Sequence, residues 1–145
     1  MAQNRTRRSE ALASELREVA TGLVARLRAS SADSMSMSQS SVLAHLFKAG
    51  PMTVADLARA EHVKPQSAGV TVALLEEDGL VEREMDPSDG RRLHVLITEK
   101  GKRLFLAGRT ARQAWLSQAL EERLSEAEQK QLLDAMSLLR RVVER

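Results

Sequence analysis

The chain has no cysteine and no tyrosine, and its 145 residues include one tryptophan, two phenylalanines and three prolines. Without cysteine there is no disulfide, no thiol redox chemistry and no thiolate zinc site. No apolar run approaches the length of a bilayer span and no signal peptide is apparent, so a cytoplasmic protein with no membrane partner is expected. An excess of one charge is also missing. The net charge is only +2, and residues 35–103 hold nine Lys and Arg against ten Asp and Glu, a local sum of −1. A nucleic-acid role must therefore rest on where the cations sit, not on their total. No nucleophile is paired with a histidine and an acid, and there is no glycine-rich phosphate loop, so no enzyme and no cofactor are expected. His45, His62 and His94 lack metal-ligand spacing, so no metal site is expected either.

The residues present describe a mainly α chain interrupted once by a β-hairpin. At this length one domain, or two intimately shared subdomains, is expected, large enough to bury a core without staples. Residues 81–85 and 93–97 alternate with period two. Val81, Arg83 and Met85 oppose Glu82 and Glu84, and Leu93, Val95 and Ile97 oppose His94 and Leu96, which places one set on a buried face. The connection Asp86-Pro87-Ser88-Asp89-Gly90-Arg91 contains a proline with fixed φ and an Asp-Gly pair suited to φ > 0. The result is a stiff tip carrying Arg91 and Arg92.

Helices flank this hairpin on both sides. Residues 1–8, with Arg5, Arg7 and Arg8, read as a frayed, solvated arm, with a basic arm that touches phosphate as the alternative. Residues 9–29 follow with a long apolar stripe, Leu12, Leu16, Val19, Leu23 and Leu27 among it, and 30–35 form a serine-rich break. Ser36-Met37-Ser38-Gln39 is a capping box opening a second helix that ends at Gly50-Pro51. Thr53, with Asp56 three residues on, opens a short third helix. After a turn at 61–63, Pro65 sits at the first position of a fourth helix, where proline is best tolerated, and Gly79 ends it. Thr98 caps a fifth helix, and Ser125-Glu126-Ala127-Glu128 opens a sixth. Short helix, tight turn, second helix and hairpin make a winged helix-turn-helix. The fourth helix can then enter a major groove while the tip reaches a minor groove. Gln66 and Ser67 can meet base edges or phosphates, Lys64 and Lys48 are phosphate candidates, and Gly69 allows close backbone approach. Helices one, five and six carry more apolar surface than such a lobe can cover, which predicts burial against a second copy.

In the order of these motifs the chain resembles the MarR family of bacterial transcription regulators over nearly its whole length. The carrying residues are Ser36-Met37-Ser38-Gln39 with Val42-Leu43, and the short helix from Thr53 to Ala58. They continue with Leu75-Glu76-Glu77-Asp78-Gly79-Leu80-Val81, the wing Asp86-Pro87-Ser88-Asp89-Gly90-Arg91-Arg92, and Leu96-Ile97-Thr98-Glu99-Lys100-Gly101. The resemblance implies one domain over 1–145, with a DNA-binding lobe at 36–98 and a helical dimerisation region at 9–30 and 99–145. It implies a homodimer on double-stranded DNA with a pseudo-palindromic operator. The function implied is repression relieved by a small aromatic or anionic effector. Asp89 would brace the wing and Arg91 would enter the minor groove, with Arg92 beside it. Lys64, Pro65, Gln66, Ser67, Gly69 and Val70 would line the DNA face of the fourth helix, and Met35, Met37, His45 and Trp115 the effector pocket. The chain departs from the family where a threonine and an arginine are usual on that face, since Gly69 and Val70 stand there. The rival expectation is a winged-helix dimer with weakened DNA binding that serves as a protein-interaction or ligand-sequestering module.

Overall fold

The computed structural model describes residues 2–32 and 35–144. Among them are six helices and one hairpin, in the order α1 (Ala2–Ala29), α2 (Met37–Ala49), α3 (Val54–Glu61), α4 (Pro65–Glu77), β1 (Val81–Met85), β2 (Leu93–Ile97), α5 (Glu99–Arg123) and α6 (Glu126–Val143). This is the mainly α architecture with a hairpin wing that the sequence predicts. Met1 of the expected arm, and positions 33 and 34 of the expected break, lie outside the described residues. The chain divides into two compact units, residues 31–110 and residues 1–30 with 111–145.

In the unit 31–110, local chemistry sets the helix boundaries. Ser36 and Gln39 satisfy each other's backbone amides at the start of α2, at 3.2 and 2.8 Å. Thr53 and Asp56 do the same for α3. At the end of α4, Gly79 adopts φ +70°. There its amide donates to the Glu76 carbonyl (3.0 Å) and the Leu80 amide to the Leu75 carbonyl (2.8 Å), a paired closure that turns the chain into β1. α3 ends in the same way, but with His62 at φ +54° where glycine is usual.

The core of this unit is one cluster. Val42, Leu43 and Leu46 of α2 meet Leu57 of α3 and Val72 and Leu75 of α4, and Leu80, Val81, Val95 and Phe105 close it. Each such aliphatic side chain, fully buried, contributes about 1.5–3 kcal/mol. Phe47 and Phe105 pack as a tilted pair with centroids 5.3 Å apart, joining α2 to the start of α5. Gly101 of α5 lies against the Leu80 carbonyl, where a β-carbon would sit 2.1 Å from the oxygen. Thr98 caps α5 by accepting the Gly101 amide (3.0 Å), while its hydroxyl donates to the Gly79 carbonyl (2.7 Å).

The unit of residues 1–30 and 111–145 has a different character. Among its described residues none is buried, and Leu12, Val19, Leu133, Leu138, Val142 and Val143 are all well exposed. Ser125 and Glu128 cap α6 reciprocally. The Gln129 side-chain Nε2 donates to the Leu124 carbonyl at 3.1 Å, bracing the turn before it.

Three expectations need correction. α1 begins at Ala2, so Arg5, Arg7 and Arg8 ride on a helix and do not form a frayed arm. The residues before Ser9 are mostly good helix formers, and the Ser9 hydroxyl donates back to the Thr6 carbonyl (2.9 Å) instead of capping. The period-two burial of the hairpin holds only at its base. Val81 and Val95 are buried, whereas Arg83, Met85 and Leu93, further from the lobe core, are exposed. The tip does not use Asp89-Gly90 for a left-handed turn, since the glycines with positive φ are Gly50 and Gly79.

Candidate nucleic-acid interface

The second helix of the helix-turn-helix presents its first turns to solvent. Lys64 is the N-cap residue preceding α4, with no side-chain cap bond, and Pro65 occupies the first helical position. Gln66, Ser67 and Val70 are exposed, while Ala68, Val72 and Leu75 bury the opposite face. Gly69 is half-buried, and an added β-carbon would meet only the Val54 Cγ1 at 3.9 Å. The Thr71 hydroxyl folds back onto the Ser67 carbonyl (3.2 Å). The polar groups this face offers a base edge are therefore Gln66 and Ser67. Val63, Val70 and Leu74 give the rest of it an apolar character that the sequence reading did not single out.

The wing is an antiparallel pair in the register Val81↔Ile97, Arg83↔Val95 and Met85↔Leu93. Beyond it, the Asp86 amide donates to the Arg92 carbonyl at 2.8 Å. Val95 is bonded on its other side too, exchanging two hydrogen bonds with Met52 at 2.8 and 3.2 Å. The base of the two-stranded wing is thus bridged to the loop before α3. Arg83 also clasps Glu76 of α4 at 3.1 Å, tying the wing to the exposed helix.

Asp86 is the organising residue of the tip. Its Oδ1 accepts the Ser88 amide (2.7 Å), the Ser88 hydroxyl (2.6 Å) and the Asp89 amide (3.3 Å). The Ser88 hydroxyl, then the Ser88 and Asp89 amides and the charge attraction of His94, hold the Asp86 carboxyl below its ordinary range. His94 Nδ1 lies 3.7 Å from Asp86 Oδ2. Asp89 takes a smaller part, accepting the Arg91 amide at 3.1 Å on its side chain and the Arg92 amide at 3.0 Å on its carbonyl. Asp86 was missed as a site residue, although an Asp followed by Pro-Ser is a recognised side-chain turn signal. With the carboxylates occupied by backbone and serine, the guanidinium groups of Arg91 and Arg92 are exposed and form no ion pair among the described residues.

The residues expected around an effector are placed as follows. Met35 packs against the lobe core and Met37 is exposed. His45 Nε2 lies 2.8 Å from Glu61 Oε1, and the same oxygen accepts the Ser41 hydroxyl, so this cluster ties α2 to α3. Trp115 is half-buried on α5, in the helical unit. A shallow open cleft of about 420 Å³ in the lobe is lined by Leu46, Phe47, Gly50, Pro51, Leu96, Ile97 and Lys102, none of them among the expected four. Among the described residues no group of three or more His, Asp and Glu is arranged to hold a metal ion, and no helix is long and apolar enough to cross a membrane.

Comparison with known proteins agrees with this arrangement. The family model for the MarR family matches residues 33–92, the span from before α2 to the wing tip. An HTH-type transcriptional regulator of Mycobacterium bovis is 37% identical over 134 residues, covering 92% of this chain and 93% of that protein. One from Mycobacterium leprae is 40% identical over 110 residues, covering 75% and 77%. Among solved structures, a transcriptional regulator protein from Pseudomonas aeruginosa superposes with a TM-score of 0.82 at 32% identity, covering 95% of this chain and 97% of that one. A MarR family protein from Bacillus stearothermophilus shares the fold with the same TM-score at 24% identity, covering 96% and 97%. Capped helix-turn-helix, braced wing and near full-length relatives agree, and the chain belongs to the MarR family of transcriptional regulators.

Proposed function

We propose that the protein is a homodimeric repressor that binds a pseudo-palindromic operator and leaves it when a small aromatic or anionic effector binds. In this reading residues 36–98 meet the DNA, and residues 9–30 and 99–145 pair the subunits in the cytoplasm. Gln66, Ser67 and Val70 enter the major groove beside the backbone at Gly69, with Lys64 and Pro65 at the groove edge. Arg91 enters the minor groove, flanked by Arg92 and held by the turn at Asp89. The effector lies near Met35, Met37, His45 and Trp115.

The observation that carries the reading is the wing tip. Its carboxylates are spent on the turn itself, which leaves two guanidinium groups exposed on a preorganised support. The apolar stripes of α1 and α6, none of whose residues is buried, support pairing. A gel shift on the DNA upstream of the protein's own gene, run at several salt concentrations, tests it. Salt-dependent binding is expected, together with raised expression from that promoter when the gene is deleted. No shift at low salt overturns the reading.

A second reading is favoured by the exposed apolar residues Val63, in the turn before α4, and Val70 and Leu74 on α4. In it the dimer binds a protein or sequesters a ligand, and DNA contact is weak. The same gel shift separates the two.

A further inference from the structure

The exposed face of α4 has an unusual composition for the second helix of a helix-turn-helix. Positions 66, 70 and 74 follow one another at spacing four and so share a helix face. Gln66 is polar, but Val70 is 59% exposed and Leu74 47%. A β-branched valine lowers helix propensity, so local structure gives no reason for Val70 in open solvent. Gly69 beside it weakens the helix further. Nothing inside the lobe demands that glycine either, because its φ is not positive and a β-carbon would make only an ordinary contact with Val54 at 3.9 Å. Both residues make sense if something approaches from outside, close to the backbone at 69 and apolar at 70.

We propose that Val70 reads the C5-methyl group of a thymine in the major groove, with Gly69 lowering the helix surface so that the methyl is reached. The proposal rests on the DNA-binding reading above and gives it a base. Thymine alone among the four bases presents an apolar group on the major-groove edge. Gln66, one turn before Val70, has the amide that suits an adenine edge, so the pair selects an A·T-containing half-site. The surroundings favour duplex DNA over an apolar protein partner. Lys64 stands uncapped at the start of the same helix, and Arg91 and Arg92 are exposed on the wing that Arg83 ties to α4 through Glu76. Cations around a narrow apolar strip match phosphates around a groove floor.

The test uses the full chain to enrich duplexes from a library with a random core. In the enriched duplex, each dyad-related pair of thymines is replaced in turn by deoxyuridine. This removes only the methyl group and leaves the hydrogen-bonding edge intact. At one position the wild type is expected to lose affinity about fourfold per half-site, about 15-fold for both. Val70→Ala is expected to bind more weakly at the outset and to lose nothing further at that position. Val70→Thr, which keeps one methyl, should fall between them. Equal losses in wild type and Val70→Ala, or no thymine whose methyl matters, overturn the contact while DNA binding stands. Failure to enrich any duplex overturns DNA binding and the contact together. A change in oligomeric mass on Val70→Ala, with DNA affinity unaltered, assigns the face to a protein partner and also overturns it.

Discussion

Gly101 and Leu80 meet backbone to backbone: a β-carbon on Gly101 would stand 2.1 Å from the Leu80 carbonyl oxygen and 3.0 Å from the Ile97 Cγ1. This contact fixes where α5 leaves the hairpin. In an open helix, Gly→Ala would stabilise by about 1 kcal/mol. Here the backbone carbonyl cannot move without pulling on the closure of α4. Gly101→Ala is therefore expected to destabilise the lobe by about 1–3 kcal/mol, read as a lower urea midpoint. An unchanged or raised midpoint would show that α5 shifts freely.

Arg91→Ala tests the wing. Each lost cation–phosphate contact lowers the slope of log K against log salt by ~0.9, so a dimer losing two should lose up to ~2. Affinity should fall across all sequences, with additional loss of preference for A·T-rich flanks where the minor groove is narrow. Binding titrations at several salt concentrations measure both. Slope and affinity at wild-type values would mean that the wing does not touch DNA, and Arg92→Ala in parallel tells which arginine of the pair is used.

Asp86 gives a prediction in pH. Its carboxyl titrates below the ordinary range because the Ser88 hydroxyl, and then the Ser88 and Asp89 amides, donate to the charged form. A depressed folded value means that the brace is complete above the unfolded value and is lost as pH falls through the folded one. Order at the tip should persist through neutral pH and fail only below about pH 4. Carbon chemical shifts of the Asp86 carboxyl should show its midpoint below that of a solvated aspartate. Asp86→Ala should leave the overall urea midpoint close to that of the wild type. It should weaken DNA binding about five- to thirtyfold for each wing, the cost of ordering roughly one further residue on binding.

Pairing of subunits is tested at Val142, 75% exposed in the single chain and on one stripe with Leu132 and Leu139 of α6. A glutamate there burdens an isolated subunit little, but in an interface it buries a charge without a partner, which costs several kcal/mol. Val142→Glu should convert a dimer to monomer at micromolar concentration by light scattering. A wild type that is already a stable monomer would refute pairing.

What the sequence made legible is what depends on neighbours three or four residues apart. The boxes at Ser36–Gln39 and Ser125–Glu128, and the Thr53–Asp56 start of α3, are complete within one turn, and all three stand as expected. Gly79 is legible because only its backbone freedom closes α4 and opens β1. The start of α1 was misplaced because Ser9 is as acceptable inside a helix as at its cap once good helix formers precede it. The tip was misassigned for a related reason. Asp-Gly and Asp-Pro-Ser compete over the same six residues, and Asp86 wins by satisfying three donors with one oxygen. The Met52–Val95 bridge, the Arg83–Glu76 clasp and the His45–Glu61 pair join residues that no local period relates.

Val95 carries a mechanical consequence. It is held by Arg83 on one side and Met52 on the other, whereas Met85 and Leu93 have each other and solvent. The hairpin is therefore a cantilever, clamped at Met52, Val81 and Val95 and unsupported from residue 85 outward. Amide hydrogen exchange should read this as a gradient, slowest at Val95 and faster toward the tip. Thermal displacement is then concentrated at the end that carries the arginines. The short turn around Asp86 keeps those arginines in fixed relation to one another while the arm as a whole swings. Such an arm can follow a groove whose width varies from site to site without breaking any hydrogen bond of its own.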